Sequence, residues 1–385
     1  MLEKKYSIQP TVDVFVTPTE SPEKSLITFH KMTTRERLEI VADNKVAEFL
    51  ALLNGFDSTR SILEELGEFV ETDAEELITF LTKNHLVVDS SNKPKIPARY
   101  SRQITYFDDM ILDREGHKSQ ELISSKKVVI LGCGSIGSQI SEILLRAGVL
   151  NFSLVDHKLI SKSNVETHLY ARKSDVGQAK TQVLKKYLER INSSSKINCF
   201  YEQLLPNTDL SKWIDDETSL VINSCDEPYI GHTSLKIGRY LQFFNIPLYV
   251  AGGFDAHLMS SGELIYPPLT PCIDCAQKTF NLALNDWKPV YRKTDINPQI
   301  VRGQRKQSIV ERSTRIDSSY LAGGPGGQIM MSGFSANLSA IKIIEFLAEN
   351  SSFDFKAIRY EYLLNDGLLT EFEMMKQTGC NVCNA

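Results

Sequence analysis

Two groups of residues in this chain have types and spacings that chemistry can use. The first is the run Val128-Val129-Ile130-Leu131-Gly132-Cys133-Gly134-Ser135-Ile136-Gly137, followed by Asp156. It reads as an apolar strand, a glycine loop and a helix start, with an acid one strand–helix–strand step later. Gly132 permits a tight turn, Gly134 lets backbone N–H groups approach a phosphate, and Gly137 lets the helix pack close to the sheet. At Ser135 and Ile136 the helix presents unused N–H groups and the positive end of its dipole to an anion. Asp156 ends the next apolar strand, where a carboxylate can accept from ribose hydroxyls. The pattern points to a nucleotide, with a structural glycine turn as the bland alternative. By itself it does not separate NAD from ATP.

The second group is cysteine. Cys272-Ile273-Asp274-Cys275 and Cys380-Asn381-Val382-Cys383 form two C-x-x-C pairs. Four thiolates in two such pairs suit tetrahedral Zn²⁺, against a redox pair or ordinary buried thiols. The pairs lie far apart in sequence, so this is no compact zinc ribbon. A shared metal would tie the far C-terminus to the end of the sheet. With four protein ligands no coordination position is open, so the expected role is structural. The remaining cysteines are Cys133, Cys199 and Cys225. An odd total argues against a disulfide framework.

Charged residues follow the glycine loop at positions where strand ends should lie. Lys158, Asn164, Lys180 and Asp226 all fall on the carboxyl edge of the expected sheet, where ligands bind in such folds. A lysine placed as a point charge suits polyphosphate. Asp226 can hold Mg²⁺ bridging phosphate oxygens. Each taken singly is an ordinary surface charge; their joint placement favours a site.

Stepping outward, the elements that position these groups alternate strand and helix from about residue 124. Strands are expected at 127–132, 152–156, 197–201, 220–223 and 247–251, and helices at 136–147, 176–192 and 231–243. An antiparallel addition is expected at 256–266, a long helix at 328–348 and a final strand at 357–364. This is an α/β chain with a Rossmann-like, mostly parallel sheet. Residues 1–90 read as a separate small α+β module of winged-helix-like type. It has strands at 12–16 and 25–29, three short helices near 45–54, 59–66 and 73–84, and a short strand at 86–88. Residues 91–123 read as a linker and arm, and 124–385 as the nucleotide-binding domain.

The bulk properties exclude several classes. The chain has 385 residues with a net charge of −5, so neither nucleic acid nor a membrane surface is indicated. No stretch approaches the roughly 20 apolar residues of a membrane span. The first residues lack a signal-peptide core, and a cytoplasmic location is the default.

With these motifs assembled, residues 99–383 resemble the ThiF/MoeB/ubiquitin-activating (E1-like) adenylyltransferase family. The matching pieces are Arg99-Tyr100-Ser101-Arg102-Gln103, the loop Gly132–Gly137, Asp156, Ser163-Asn164, Val176-Gly177-Gln178-Ala179-Lys180, Asp226 and the two cysteine pairs. The resemblance implies that Asp156 binds the ATP ribose and that Asn164 and Lys180 contact the phosphates. It implies that Asp226 positions Mg²⁺ and the reacting phosphate. It also implies a homodimer in which Arg102 reaches the ATP of the neighbouring subunit. Members of the family make an acyl-adenylate from a carboxylate and ATP. One departure stands out: the family pattern Asn-Leu-x-Arg is here Asn164-Val165-Glu166-Thr167. His168, Arg172 or another group is the candidate replacement for the arginine; the alternative is altered or weakened adenylation.

The N-terminal module is similar to the PqqD-like element that binds leader peptides in peptide-modifying enzymes. Such leaders add along a sheet edge beside the third helix. The module is not notably basic, which disfavours a DNA-binding reading. The expected substrate is therefore a ribosomally made precursor peptide in antibiotic biosynthesis. Its activated carboxylate, a glutamate side chain, would be attacked intramolecularly to give a cycle. The alternatives are a stable nucleotide conjugate at the peptide C-terminus, a non-catalytic leader-binding scaffold, and activation of a sulfur-carrier or ubiquitin-like protein. The last is disfavoured because no cysteine lies between 275 and 380 to take up an acyl group. Residues 288–315 carry eight basic residues against Asp295 and Glu311. They suit a cover over acidic peptide or phosphate, or a solvated loop.

Overall fold

The fold is taken from a computed structural model. It describes residues 1–67, 70–91, 98–111, 113–226, 230–252, 258–267, 269–283, 328–351, 353 and 355–383. The basic stretch 288–315 lies outside the described residues. The chain divides into two compact units, Met1–Ser119 and Gln120–Ala385. The expectation from sequence separates 1–90 from an arm at 91–123.

In the first unit, β1 (Tyr6–Ile8) pairs antiparallel with β5 (Val87–Asp89). β2 (Val12–Pro18), β3 (Lys24–Lys31) and β4 (Arg37–Asp43) form an antiparallel sheet in that order. Three helices follow: α1 (Asn44–Leu52), α2 (Thr59–Leu66) and α3 (Glu71–Lys83). Their starts and stops are local. The Asp43 carboxylate accepts from Lys45 N at 2.9 Å, and the Ser58 hydroxyl from Ser61 N at 3.2 Å. α2 ends where Gly67 adopts a left-handed φ of 69°. One core joins sheet to helices: Ile27 and Phe29 from β3, Phe49 from α1, Ile62 from α2, and Ile78 and Leu81 from α3, all at most 2% exposed. α4 (Ser101–Met110) and the first part of α5 (Gly116–Ser125) belong to the same unit. There the Gln9 side-chain amide donates to Asp109.

The second unit is built on a six-stranded sheet of order β12-β10-β9-β6-β7-β8. Its strands are β6 (Lys127–Leu131), β7 (Asn151–Val155), β8 (Lys196–Phe200), β9 (Thr218–Asn223), β10 (Leu248–Val250) and β12 (Glu263–Ile265). All pairings are parallel except that of β12 with β10, so the expected sheet class holds. Val128, Val129, Ile130 and Leu131 of central β6 are at most 1% exposed. That continuous apolar run is what a strand covered on both faces requires. Each such side chain contributes about 1.5–3 kcal/mol when fully buried. The covering helices include α6 (Ser135–Arg146), α8 (Lys180–Ile191), α9 (Ile230–Phe244), α10 (Ile273–Ala283) and α11 (Ile329–Leu347), with the short α7 (Asn164–Thr167) between β7 and α8. A second sheet, β11 (Met259–Ser260), β13 (Ile358–Leu363) and β14 (Leu368–Glu373), packs beside α11 through β11. No described helix is long and apolar enough to cross a membrane.

Candidate nucleotide site and metal centre

The ends of β6, β7, β9 and β10 and the starts of α6, α8, α9 and α11 converge on a cavity of about 470 Å³. Its wall includes Gly132, Gly134, Ser135, Ile136 and Gly137, with Asp156, Lys158, Lys180 and Asp226. The glycine loop is shaped by close approach. Gly132 sits at φ 96°, and a side-chain carbon on Gly137 would lie 2.1 Å from the Gly132 carbonyl oxygen and 2.4 Å from Ser224 Oγ. A carbon on Gly134 would meet nothing within 4 Å. Gly132 and Gly137 therefore serve the turn and the helix–strand contact, while Gly134 keeps space open over the loop. The Ser224 hydroxyl donates to the Gly132 carbonyl at 2.9 Å and closes the loop from β9.

Asp156 secures the same loop. Its carboxylate accepts from Cys133 N at 2.8 Å and from Lys158 N at 2.7 Å. It is 9% exposed and lines the cavity, so it combines a structural duty with a position at the ligand edge. Tyr170 adds a third tie, donating its hydroxyl to the Cys133 carbonyl at 2.8 Å.

Lys180 is the first residue of α8 and is 6% exposed. Burial lowers its pKa, aided by the Lys158 charge, while the carboxylates of Asp156 and Asp226 oppose the shift. Its ammonium lies 3.2 Å from His168 Nε2, and His168 Nδ1 lies 2.9 Å from Thr167 Oγ1. Burial and the Lys180 charge push the His168 imidazole down to a pKa of about 3, so the ring is neutral at physiological pH. Of the two replacements offered for the family arginine, His168 lines the cavity, whereas Arg172 is exposed on the short turn after it and is not part of the lining.

The other sequence-predicted residues are placed as follows. Asp226 follows β9 on the cavity wall and is exposed. Asn164 begins α7 and is not among the lining residues; its side-chain oxygen accepts from Ser161 N at 2.9 Å and caps that turn. Arg102 is exposed on α4 in the first unit. Sequence reasoning missed Ser332. It comes from the first turn of α11, lines the cavity and lies 2.7 Å from the Ser135 hydroxyl. No motif marks it, because α11 reaches the loop only through the fold.

The four paired cysteines converge from their two distant segments. Their sulfur atoms all lie within 4.8 Å of one another. Cys272 Sγ is 3.7 Å from Cys380 Sγ, and Cys275 Sγ is 3.6 Å from Cys383 Sγ. Zn–S bonds of about 2.3 Å at tetrahedral angles set neighbouring sulfurs roughly 3.8 Å apart, so the donor set fits zinc. Backbone N–H groups of Cys383 and Val382 pull the Cys380 thiol down to about 7. Gln377 N donates to Cys275 Sγ at 3.4 Å, and the Gln242 amide to the Val382 carbonyl at 2.9 Å. Such outer contacts orient ligands.

Fold, cavity and cysteine cluster together define an E1-like adenylating domain. Residues 100–382 match the ThiF family, and the chain belongs to it. Among curated relatives, the molybdopterin-synthase adenylyltransferase of Escherichia coli K12 is 30% identical over 185 residues, 47% of this chain and 68% of that protein. The pig adenylyltransferase and sulfurtransferase MOCS3 is 27% identical over 147 residues, 38% of this chain and 32% of that protein. The chain spans only about a third of that relative's length. Among solved structures, E. coli MccB, crystallised with MccA-N7isoASN, superposes with a TM-score of 0.69 at 20% identity, covering 99% of each chain. MccB has also been solved with ATP. PaaA superposes at 0.61 with 19% identity, covering 82% of this chain and 96% of that one. At these identities the likeness is one of fold, and with MccB it extends over both units.

Proposed function

We propose that this protein activates a carboxylate of a ribosomally made precursor peptide with ATP, forming an acyl-adenylate and releasing pyrophosphate. The observation that carries the reading is the cavity. It sets a phosphate-ready glycine loop, a buried lysine and an exposed strand-end aspartate around one volume in a ThiF-family chain. Asp156 takes the ribose hydroxyls, the N-terminus of α6 and Lys180 hold the phosphates, and Asp226 would hold a Mg²⁺ ion that would supply positive charge to the phosphates. Neutralising the leaving pyrophosphate and aligning the carboxylate with phosphorus supply the catalysis. Zn²⁺ at Cys272, Cys275, Cys380 and Cys383 fastens the C-terminal segment. The protein acts as a homodimer in which Arg102 of one subunit serves the ATP of the other.

The first unit supports a peptide substrate. β4 is an edge strand, with Arg37, Glu39, Val41 and Asp43 exposed and the residues between them turned toward the core. An extended leader adds to such an edge through main-chain hydrogen bonds. The activated group is a glutamate side chain, which an internal amine or amide then attacks to close a ring. The test is to incubate the protein with Mg-ATP and the short peptide encoded next to it, then record the intact peptide mass. Loss of water is the expected result. A gain of AMP retains adenylation and replaces cyclisation by conjugation. An unchanged peptide with no pyrophosphate released refutes the enzymatic reading and leaves a leader-binding scaffold.

A further inference from the structure

The arginine missing at position 167 leaves a question about how Lys180 is held. Its ammonium meets a neutral ring, His168 Nε2, at 3.2 Å. An ammonium has three donors and no acceptor, so the nitrogen facing it carries the lone pair. The ring proton must then sit on Nδ1, where Thr167 Oγ1 accepts it at 2.9 Å. The threonine hydroxyl hydrogen in turn points to the Ser163 carbonyl at 3.4 Å. The ring's proton and its lone pair are both engaged, so the tautomer is fixed from both ends. The segment is also pinned to the glycine loop, since the Ser135 hydroxyl donates to the Thr167 carbonyl at 2.8 Å.

We infer that His168 is a positioning residue for nucleotide binding: with Thr167 it forms a neutral relay that directs the Lys180 ammonium into the phosphate end of the cavity, in place of a second cation. The inference rests on the reading of Lys180 as a phosphate ligand. The relay occupies one N–H of Lys180 and leaves two for phosphate oxygens. Because His168 is uncharged, it adds no repulsion to a cation that burial already disfavours.

The test uses the full-length protein with Mg-ATP and adenosine as separate probes, titrated by calorimetry. His168→Leu removes the acceptor and is expected to weaken Mg-ATP about 10-fold while leaving adenosine within about twofold. His168→Gln, whose amide oxygen and N–H occupy similar places, should recover most of the loss. Lys180→Met should weaken Mg-ATP at least as much as His168→Leu. The double variant should be no worse than Lys180→Met alone, because both changes remove one interaction. Additive losses, equal loss of adenosine affinity, or a glutamine variant as weak as the leucine variant overturn the relay. Unchanged Mg-ATP affinity in Lys180→Met overturns the lysine's phosphate role itself, and the relay with it. Loss confined to Lys180→Met overturns the relay alone.

Discussion

Asp226→Ala is expected to lower product formation by about 10³-fold while leaving leader-peptide affinity within about twofold. The residue stands on the cavity wall just beyond β9, exposed to whatever occupies the volume. A carboxylate there meets a polyphosphate only if a divalent cation lies between them, since two anions otherwise repel. On the proposed reading, removing it takes away the group that would hold that cation. The β-strands that would bind a leader lie in the other compact unit, so a change at Asp226 should not reach them. Product yield by mass spectrometry and leader affinity by fluorescence polarisation check the two halves. Equal loss of both would mean that the units do not divide the labour as argued.

The cysteine cluster makes the second large prediction. The purified protein should carry one zinc per chain, and Cys380→Ser should release it. The four sulfurs join α10 and the segment just before it to the last turn of the chain. Without the metal, buried Cys272 and Cys275 lose the partner that justifies their convergence. The expected cost is about 3–4 kcal/mol, or a fall in Tm of roughly 10 °C for a domain of this size. Zinc content by atomic absorption and thermal unfolding followed by circular dichroism measure both. A variant that keeps its zinc, or loses it without a change in Tm, would show that the four thiols do not form a structural site.

The parts of the molecule readable in advance were those under several constraints at once. β6 and its glycine loop had to be apolar, tightly turned and closely packed, and three residue types at fixed spacing reported all three demands. The cysteine pairs were legible because few other roles use four thiols in two C-x-x-C steps. β4 was not anticipated: its Arg37-Leu38-Glu39-Ile40-Val41-Ala42-Asp43 is half exposed, and its apolar residues run on into α1 without a break. β14 escaped notice because Leu368 and Leu369 are exposed neighbours, which blurs the period of two. The helices α4 and α5 fall in the stretch read as a linker and arm, although α4 buries Ile104 and Phe107 on one face. Within the site, the Asn164 side-chain oxygen accepts from Ser161 N in the turn that precedes α7, a local bond that the motif does not announce. Ser332 illustrates the converse, a residue without a motif that long-range packing delivers to the cavity.

The central claim is that the cavity joins a peptide carboxylate to the α-phosphate of ATP. Exchange of labelled pyrophosphate into ATP tests it most directly. The account predicts exchange that depends on Mg²⁺ and on the precursor peptide, with AMP as the nucleotide product and no ADP. Formation of ADP and phosphate, or exchange that is absent in the presence of a peptide the protein binds, would contradict it.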